Sequence, residues 1–212
     1  MRSARSMAKR LFDMVASGLG LLLLAPLLLL MALAIKLDSP VPVFFRQARV
    51  GRYGVEFRIH KYRTMLHSER GDSAGPQAAV AQLTVGADPR ITRVGALLRR
   101  TRLDELAQLI DVLCGTMSLV GPRPEVPRYV ATYPRDLRDK VLSVRPGITD
   151  PASLAFRDES AMLACAADPQ REYVEIVLPA KLRLSARYID EASFGTDLRL
   201  IVATLRALWV GQ

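Results

Sequence analysis

Met14 to Ile35 is a run of 22 residues without a single charge, and any fold of this chain has to keep it from water. At about 1.5 Å per residue it is long enough to cross a ~30 Å hydrocarbon core as one straight helix. Pro26 lies near its middle, removes a backbone donor and crowds the carbonyl of Leu22, which predicts a broken helix. Each half is then roughly 15–18 Å long, about one leaflet. Both flanks are basic: Arg2, Arg5, Lys9 and Arg10 precede the run, and Lys36, Arg46, Arg49 and Arg52 follow it. Lys/Arg-rich flanks favour the cytoplasmic side, so both ends are compatible with one face of the membrane. Taken alone, the run fits three readings: a single-pass anchor, a bent re-entrant helix, or a signal peptide cut after Ala32-Leu33-Ala34, although it is longer than a usual signal core.

The 212 residues allow one domain beside that membrane element. A net charge of +9 calls for anionic partners, whether nucleic acid, lipid head groups or phosphorylated substrates. Cys114 and Cys165 are the only cysteines, form no CxxC pair, and read as reduced core thiols.

After a reversal at Ser39-Pro40-Val41-Pro42, two strand-like runs flank Gly51-Arg52-Tyr53-Gly54. Val55, Phe57 and Ile59 alternate with Glu56, Arg58 and His60, the period-2 pattern of a half-buried hairpin strand. His60 and His67 read as surface or hairpin positions. Ser68 to Gln82 is small, polar and irregular, a loop. Thr92 to Leu113 reads as mostly helical, Gly115 to Pro127 as a Gly/Pro loop, and Tyr129 to Val141 as a helix ended by Arg145-Pro146-Gly147. Tyr173 to Glu191 and Asp197 to Trp209 read as two closing helices. The last has a broad apolar face, Leu198, Ile201, Val202, Leu205, Leu208 and Trp209, suited either to the core or to a membrane interface with Trp209 at head-group depth. The sheet content is too small for a doubly wound domain, so the expected class is α+β.

Asp104 and Glu105 stand in RRTRLDELAQLIDVL, where Leu103, Leu106, Ile110 and Leu113 recur at helical spacing. Thr101 reads as the N-cap, with Asp104 in the first turn, an arrangement that capping and the helix dipole explain without chemistry. The arginines around the pair argue for more. Arg90, Arg93, Arg99, Arg100 and Arg102 crowd its approach, and Arg123 follows between two prolines in Gly121-Pro122-Arg123-Pro124-Glu125. Guanidiniums suit bidentate phosphate contact, and carboxylates among them suit phosphoryl chemistry.

These strings together resemble the monotopic phosphoglycosyl transferases, the bacterial sugar transferases. The resemblance runs through KRLFDMVAS (9–17), SPVPVFFRQARVGRYGVEFRIHKYRTM (39–65), DPRITRVGALLRRTRLDELAQLIDVLCGTMSLVGPRPE (88–125) and RPGIT (145–149), about three quarters of the chain. LDEL followed by MSLVGPRP at this spacing is its most specific part. The resemblance implies a small mixed α+β domain with a β-hairpin, a proline-broken re-entrant membrane helix and interfacial amphipathic helices. Residues 1–38 would form the basic N-terminus and membrane helix, and residues 39–212 the cytoplasmic catalytic domain.

It further implies transfer of a sugar-1-phosphate from a UDP-sugar to polyprenyl (undecaprenyl) phosphate, with release of UMP and a need for Mg²⁺. The site would be the cytoplasmic face of the bacterial inner membrane, with membrane lipid as a further partner. By the same resemblance Asp104 is the nucleophile that forms a covalent phosphosugar, Glu105 assists, and the two hold the metal. Lys61, Arg63, Arg99, Arg123 and Arg145 match basic positions assigned to phosphate and nucleotide contacts.

The chain departs from the family pattern in three places. Ala25 stands before Pro26 where many members have Ser, Ala107 replaces a proline, and Asp150-Pro151-Ala152-Ser153 then Phe156-Arg157 replace a Gly-Trp-Ala-Gln run expected near the sugar. No extra N-terminal transmembrane domain is expected in this minimal form. A non-catalytic scaffold is the competing reading, and intact Asp104, Glu105 and Arg123 oppose it. A nucleic-acid binder lacks any recognisable motif. Sugar and oligomeric state are left open.

Overall fold

The structure is a computed structural model and describes residues 2–40, 42–66 and 88–210, with the backbone alone for residues 2–6, 209 and 210. The proposed loop at Ser68 to Gln82, His67 and the side chain of Trp209 therefore lie outside what is described. The elements in chain order are α1 (Arg2–Asp38), β1 (Phe44–Val50), β2 (Glu56–Tyr62), α2 (Arg93–Arg100), α3 (Gln108–Cys114), β3 (Ser118–Val120), α4 (Pro127–Val130), α5 (Arg135–Val141), β4 (Gly147–Thr149), α6 (Pro151–Ala155), α7 (Glu159–Ala164), α8 (Pro169–Glu172), α9 (Leu178–Glu191) and α10 (Phe194–Val210). The fold is α+β, with one long apolar helix leading a mixed domain.

α1 corrects one expectation. It is a single 37-residue helix with Pro26 inside it, not two half-helices. A proline removes only one donor, and well-packed neighbours sustain the helix around it. Leu27, Leu28, Met31, Ala32 and Ile35 pack against Tyr62, Leu98 and Ala107, and the Tyr62 hydroxyl donates to the Leu28 carbonyl at 2.9 Å. The helix is fastened to the domain at both ends. Near its start, Lys9 meets Asp197 at 2.7 Å, and Asp13 accepts from the Ser118 hydroxyl at 2.8 Å. At its end, Asp38 accepts from the Val94 backbone amide at 3.1 Å, the exposed start of α2. The opposite face, including Leu11, Val15, Leu19, Leu22, Leu29 and Leu33, is uncovered.

The hairpin forms as its alternation predicts. β1 and β2 pair antiparallel from Phe44 opposite Tyr62 to Val50 opposite Glu56. Ile59 points into a small core with Val112 and Met117; the last two are fully buried, each stabilising the domain by about 1.5–3 kcal/mol. The tip carries Tyr53 at φ 61°.

The long helix expected over Thr92 to Leu113 is two helices. Arg102 adopts a left-handed conformation (φ 57°), and a short 3-10 turn, Leu103–Glu105, separates α2 from α3. Thr101 is thus not an N-cap: it closes α2, its hydroxyl donating to the Leu97 carbonyl at 2.8 Å. Pro134 likewise splits the helix expected at 129–141 into α4 and α5.

β3 and β4 were not expected at all. They pair in parallel where the sequence reads as a loop and a breaker. Glycines permit this. A Cβ on Gly147 would lie 2.1 Å from the Gly121 nitrogen, and one on Gly121 would lie 2.5 Å from the Arg145 carbonyl oxygen, so neither position has room for a side chain.

α8 and α9 run into each other through a π-turn at Tyr173–Val177, and their buried face joins Val126, Tyr129, Val130 and Tyr133 in the main core. α10 does two things at once. Thr204 bonds Thr149 at 2.6 Å, while Leu198, Val202 and Leu205 remain exposed. The cysteines are free as expected, but Cys114 and Cys165 are exposed rather than buried, because each sits at the solvent end of a short helix.

Candidate active site

Three segments converge on the acidic pair. β2 brings Lys61, the 3-10 turn brings Asp104 and Glu105, and the loop after β3 brings Arg123. The left-handed Arg102 sets the pair's direction. A non-glycine residue in that region costs on the order of 1–3 kcal/mol, strain that persists where a site requires it.

Asp104 is 1% exposed and Glu105 8%. Lys61 Nζ lies 2.9 Å from Asp104 Oδ2 and 3.4 Å from Glu105 Oε1. Arg123 grips Glu105 with both arms: Nη1 donates to Oε2 at 3.1 Å and Nη2 to Oε1. Arg102 Nη1 stands 4.0 Å from the same carboxylate. Asp104 Oδ1, in contrast, is buried with no partner among the described residues.

The two carboxylates consequently differ. Burial pushes the Asp104 carboxyl up, opposed by Lys61 and reinforced by neighbouring Glu105. Burial also acts to raise Glu105, but the Arg123 guanidinium and Lys61 outweigh it and hold that carboxyl well below the usual range. Glu105 is a fixed anion already matched to its partners. Asp104 is the more basic carboxylate, with one oxygen to spare.

The Arg123 loop is held from three sides. The Gly147 amide donates to the Pro122 carbonyl at 2.9 Å, and the Val50 amide to the Glu125 carbonyl at 2.9 Å. Arg49 Nη1 donates to the Pro124 carbonyl at 3.0 Å. Behind the loop, the Tyr173 hydroxyl, at the π-turn, donates to Glu125 Oε1 at 2.7 Å.

Lys61 is positioned from below. Asp111, 3% exposed on α3, accepts the His60 backbone amide at 2.8 Å and bonds His60 Nδ1 at 2.7 Å. His60 is therefore half of a strand-to-helix clamp, not an idle hairpin residue. Sequence reading missed this pair and Arg49; a carboxylate seven residues after Asp104 on the same helical stretch was the one available signal.

The other proposed residues are spread out. Arg99 lies close enough to lower Asp104 and donates to Met65 Sδ at 3.7 Å. Arg63 donates to the Pro42 and Phe44 carbonyls at 3.1 and 3.4 Å, bracing the start of β1. Arg145 is elsewhere: its Nε donates to the Gly115 carbonyl at 2.8 Å, beyond the far end of α3. The divergent segment does reach the site, since Arg102 Nη2 donates to the Arg157 carbonyl at 3.1 Å.

Positive groups outnumber the two carboxylates, so the pocket suits an anionic ligand. Among the described residues no group of three or more His, Cys, Asp or Glu side chains could hold a metal alone. Mg²⁺ is commonly held by one or two carboxylates plus substrate phosphates. The unpartnered Asp104 oxygen beside Glu105 fits half of such a site.

The family profile described as bacterial sugar transferase matches residues 4–211. Among curated proteins, the chain is 39% identical to a UDP-glucose:undecaprenyl-phosphate glucose-1-phosphate transferase of Caulobacter vibrioides, covering 98% of this chain and 72% of that protein. It is 39% identical to the enzyme of the same description from Escherichia coli, covering 93% of this chain and 39% of that protein. It is 35% identical to a UDP-N-acetylgalactosamine-undecaprenyl-phosphate N-acetylgalactosaminephosphotransferase of Aeromonas hydrophila, covering 96% and 44%. The chain thus spans less than half the length of the last two. With the LDEL turn and the GPRP loop folded onto each other as described, the chain belongs to the bacterial sugar transferase family.

Proposed function

We propose that this protein transfers a sugar-1-phosphate from a UDP-sugar to a polyprenyl phosphate at the cytoplasmic face of the bacterial inner membrane, with release of UMP, as a first step in building a glycoconjugate or polysaccharide. The observation that carries the reading is the asymmetric pair: a buried Asp104 with a raised carboxyl and a spare oxygen, beside a Glu105 neutralised by Arg123.

In this reading an Asp104 oxygen attacks the sugar-bearing phosphorus. The bond to the bridging oxygen breaks, and UMP leaves with the electron pair. A polyprenyl phosphate oxygen then attacks the same phosphorus and displaces the Asp104 carboxylate, which is regenerated. Two steps spare the site from holding both bulky anionic substrates at once. Lys61, at 2.9 Å, orients Asp104 and favours its ionised form against the effect of burial, and Arg123 with Lys61 fixes Glu105. Arg99, whose charge reaches Asp104, supplies a phosphate contact. Mg²⁺, held by Asp104 and Glu105 together with the phosphates, would neutralise charge on the leaving group.

The membrane placement is supported by α1. Its fastenings at Asp13 and Asp38 are roughly 38 Å apart along a helix, longer than the hydrocarbon core, and both join one polar domain. A straight span would drag that domain into the bilayer. A monotopic arrangement, with the uncovered faces of α1 and α10 in lipid and both ends of α1 on the cytoplasmic side, avoids this.

The test is UMP release by purified protein with Mg²⁺, undecaprenyl phosphate and a panel of UDP-sugars that includes UDP-glucose and UDP-N-acetylgalactosamine. Release from one donor, absent in Asp104→Asn, and a donor-dependent mass adduct on Asp104 are the expected results. Substantial turnover by folded Asp104→Asn would remove the nucleophile assignment. Silence across the panel would remove the activity.

A further inference from the structure

We infer that Arg10, Arg52 and Arg145 form a second anion site, separate from the acidic pair, that takes the phosphate of a membrane phospholipid. Arg10 from α1 and Arg145 from the segment before β4 meet at the C-terminal end of α3, and Arg52 at the hairpin tip bonds that same segment two residues before Arg145. Arg10 Nη1 and Nη2 donate to the Val112 and Leu113 carbonyls at 2.6 and 3.0 Å. Arg145 Nε donates to the Gly115 carbonyl at 2.8 Å, and Arg52 Nε to the Ser143 carbonyl at 2.9 Å. Arg10 also lies against Gly115, where an added Cβ would fall 3.2 Å from its Nη2.

Among the described residues, no carboxylate forms an ion pair with Arg10, Arg52 or Arg145. A helix C-terminus offers the equivalent of about half a negative charge, against three full positive ones. Burial lowers the Arg145 guanidinium, and the neighbouring charges of Arg10 and Arg52 lower it further. The Asp13 carboxylate acts in the opposite sense on Arg145, but its oxygens are already engaged by the Ser118 hydroxyl at 2.8 Å and the Leu119 amide at 3.4 Å, with Lys9 at 3.9 Å. Among the described residues, the terminal nitrogens of Arg52 and Arg145 make no hydrogen bond. Arg52 is held in place by its stack on Tyr53, 4.4 Å to the ring centre, and Tyr53 is the other non-glycine residue at positive φ. Strain of that kind gathers at binding sites. The open forks of Arg52 and Arg145, with the charge of Arg10 beside them, suit bidentate contact with a phosphate.

Apolar surface beside the cluster points to a lipid. Met7 and Met14, three and four residues from Arg10, share its helix face, and both are exposed, as is Leu113. A head-group phosphate on the arginines leaves its acyl chains along that strip. Ten residues separate Glu105 from Gly115, roughly 15 Å along a helix, too far for a phosphate here to meet Asp104. The site therefore stands whatever reaction the acidic pair performs.

The test is native mass spectrometry of the full chain in detergent, titrated with dioctanoylphosphatidylglycerol and, separately, with inorganic phosphate. Wild type should bind the lipid at one saturable site. At about fivefold per guanidinium, Arg52→Gln should weaken binding about fivefold and Arg52→Gln/Arg145→Gln about 25-fold. Arg199→Gln/Arg206→Gln on α10, which removes the same charge elsewhere, should change it less than about twofold. Equal loss in both double variants, or no loss in Arg52→Gln, would overturn the site. Inorganic phosphate binding as tightly as the lipid would overturn the lipid as its occupant. Because Arg52 lies at the hairpin tip, its single variant decides the matter even if Arg145→Gln fails to fold.

Discussion

The forked contact between Arg123 and Glu105 is a prediction about stability as much as about catalysis. Arg123→Gln removes two charge-assisted bonds from a carboxylate that is 8% exposed. Stranding one member of a buried pair costs about 3–5 kcal/mol. Lys61 at 3.4 Å and Arg102 at 4.0 Å stay behind to share the charge, which places the expected loss near the lower end, about 3 kcal/mol. Glu105→Gln should cost about as much, because it leaves Arg123 unmatched while keeping the shape. Joining the two gives neutral side chains that still hydrogen-bond, so the double variant should lose less than the sum, with a coupling of about 2 kcal/mol. Arg123→Lys should fall between, since one ammonium cannot span both carboxylate oxygens. The assay is urea unfolding in mild detergent, followed by far-ultraviolet circular dichroism, for wild type, both singles and the double. A coupling below about 0.5 kcal/mol, the ordinary additivity error, would refute the view that Arg123 exists to neutralise Glu105.

Three further outcomes are expected. Asp111→Asn weakens the clamp on His60, and should cost about 1–2 kcal/mol and lower kcat with little change in KM; an unchanged kcat in UMP release would detach the clamp from Lys61 placement. Gly95→Ala puts a methyl group 2.1 Å from the Thr64 carbonyl oxygen, a backbone atom with no freedom to turn away, and should destabilise by about 2–3 kcal/mol, read as a lowered Tm. Single cysteines introduced near each end of a Cys114→Ser/Cys165→Ser background should both be labelled from the cytoplasmic side of oriented vesicles; labelling from opposite sides would establish a true span.

The parts of the site that sequence made legible are local or strongly patterned. Asp104, Glu105 and Arg123 lie in two short strings of fixed spacing, and the hairpin declares itself by alternation from Val55 to Ile59. The parts that were hidden depend on distant pairing or on one dihedral angle. Arg102 bends the chain into the left-handed region without a glycine to announce it, which turned an expected helix start into a 3-10 turn. β3 and β4 have three residues each, too few for any periodicity, and are recognisable only through the Gly121–Gly147 approach. His60 and Asp111 are 51 positions apart. Arg145 reads like the other motif arginines, yet it bonds the Gly115 carbonyl beyond the far end of α3, a partner 30 positions away.

The fastening of α1 also governs the order in which the molecule can be assembled. Its partners lie far along the chain: Arg10 meets Val112 across 102 positions, Asp13 meets Ser118 across 105, and Lys9 meets Asp197 across 188. At a synthesis rate of about 5–20 residues per second, Asp197 emerges on the order of 10–40 s after Lys9. The clasps at Arg10 and Asp13 can close once Val112 and Ser118 have been made, but throughout that interval Lys9 has no Asp197 to meet. In the proposed monotopic arrangement the helix waits at the membrane surface, and the basic residues at each of its ends oppose passage through the bilayer meanwhile. α10 thus secures the start of α1 across 188 positions of chain.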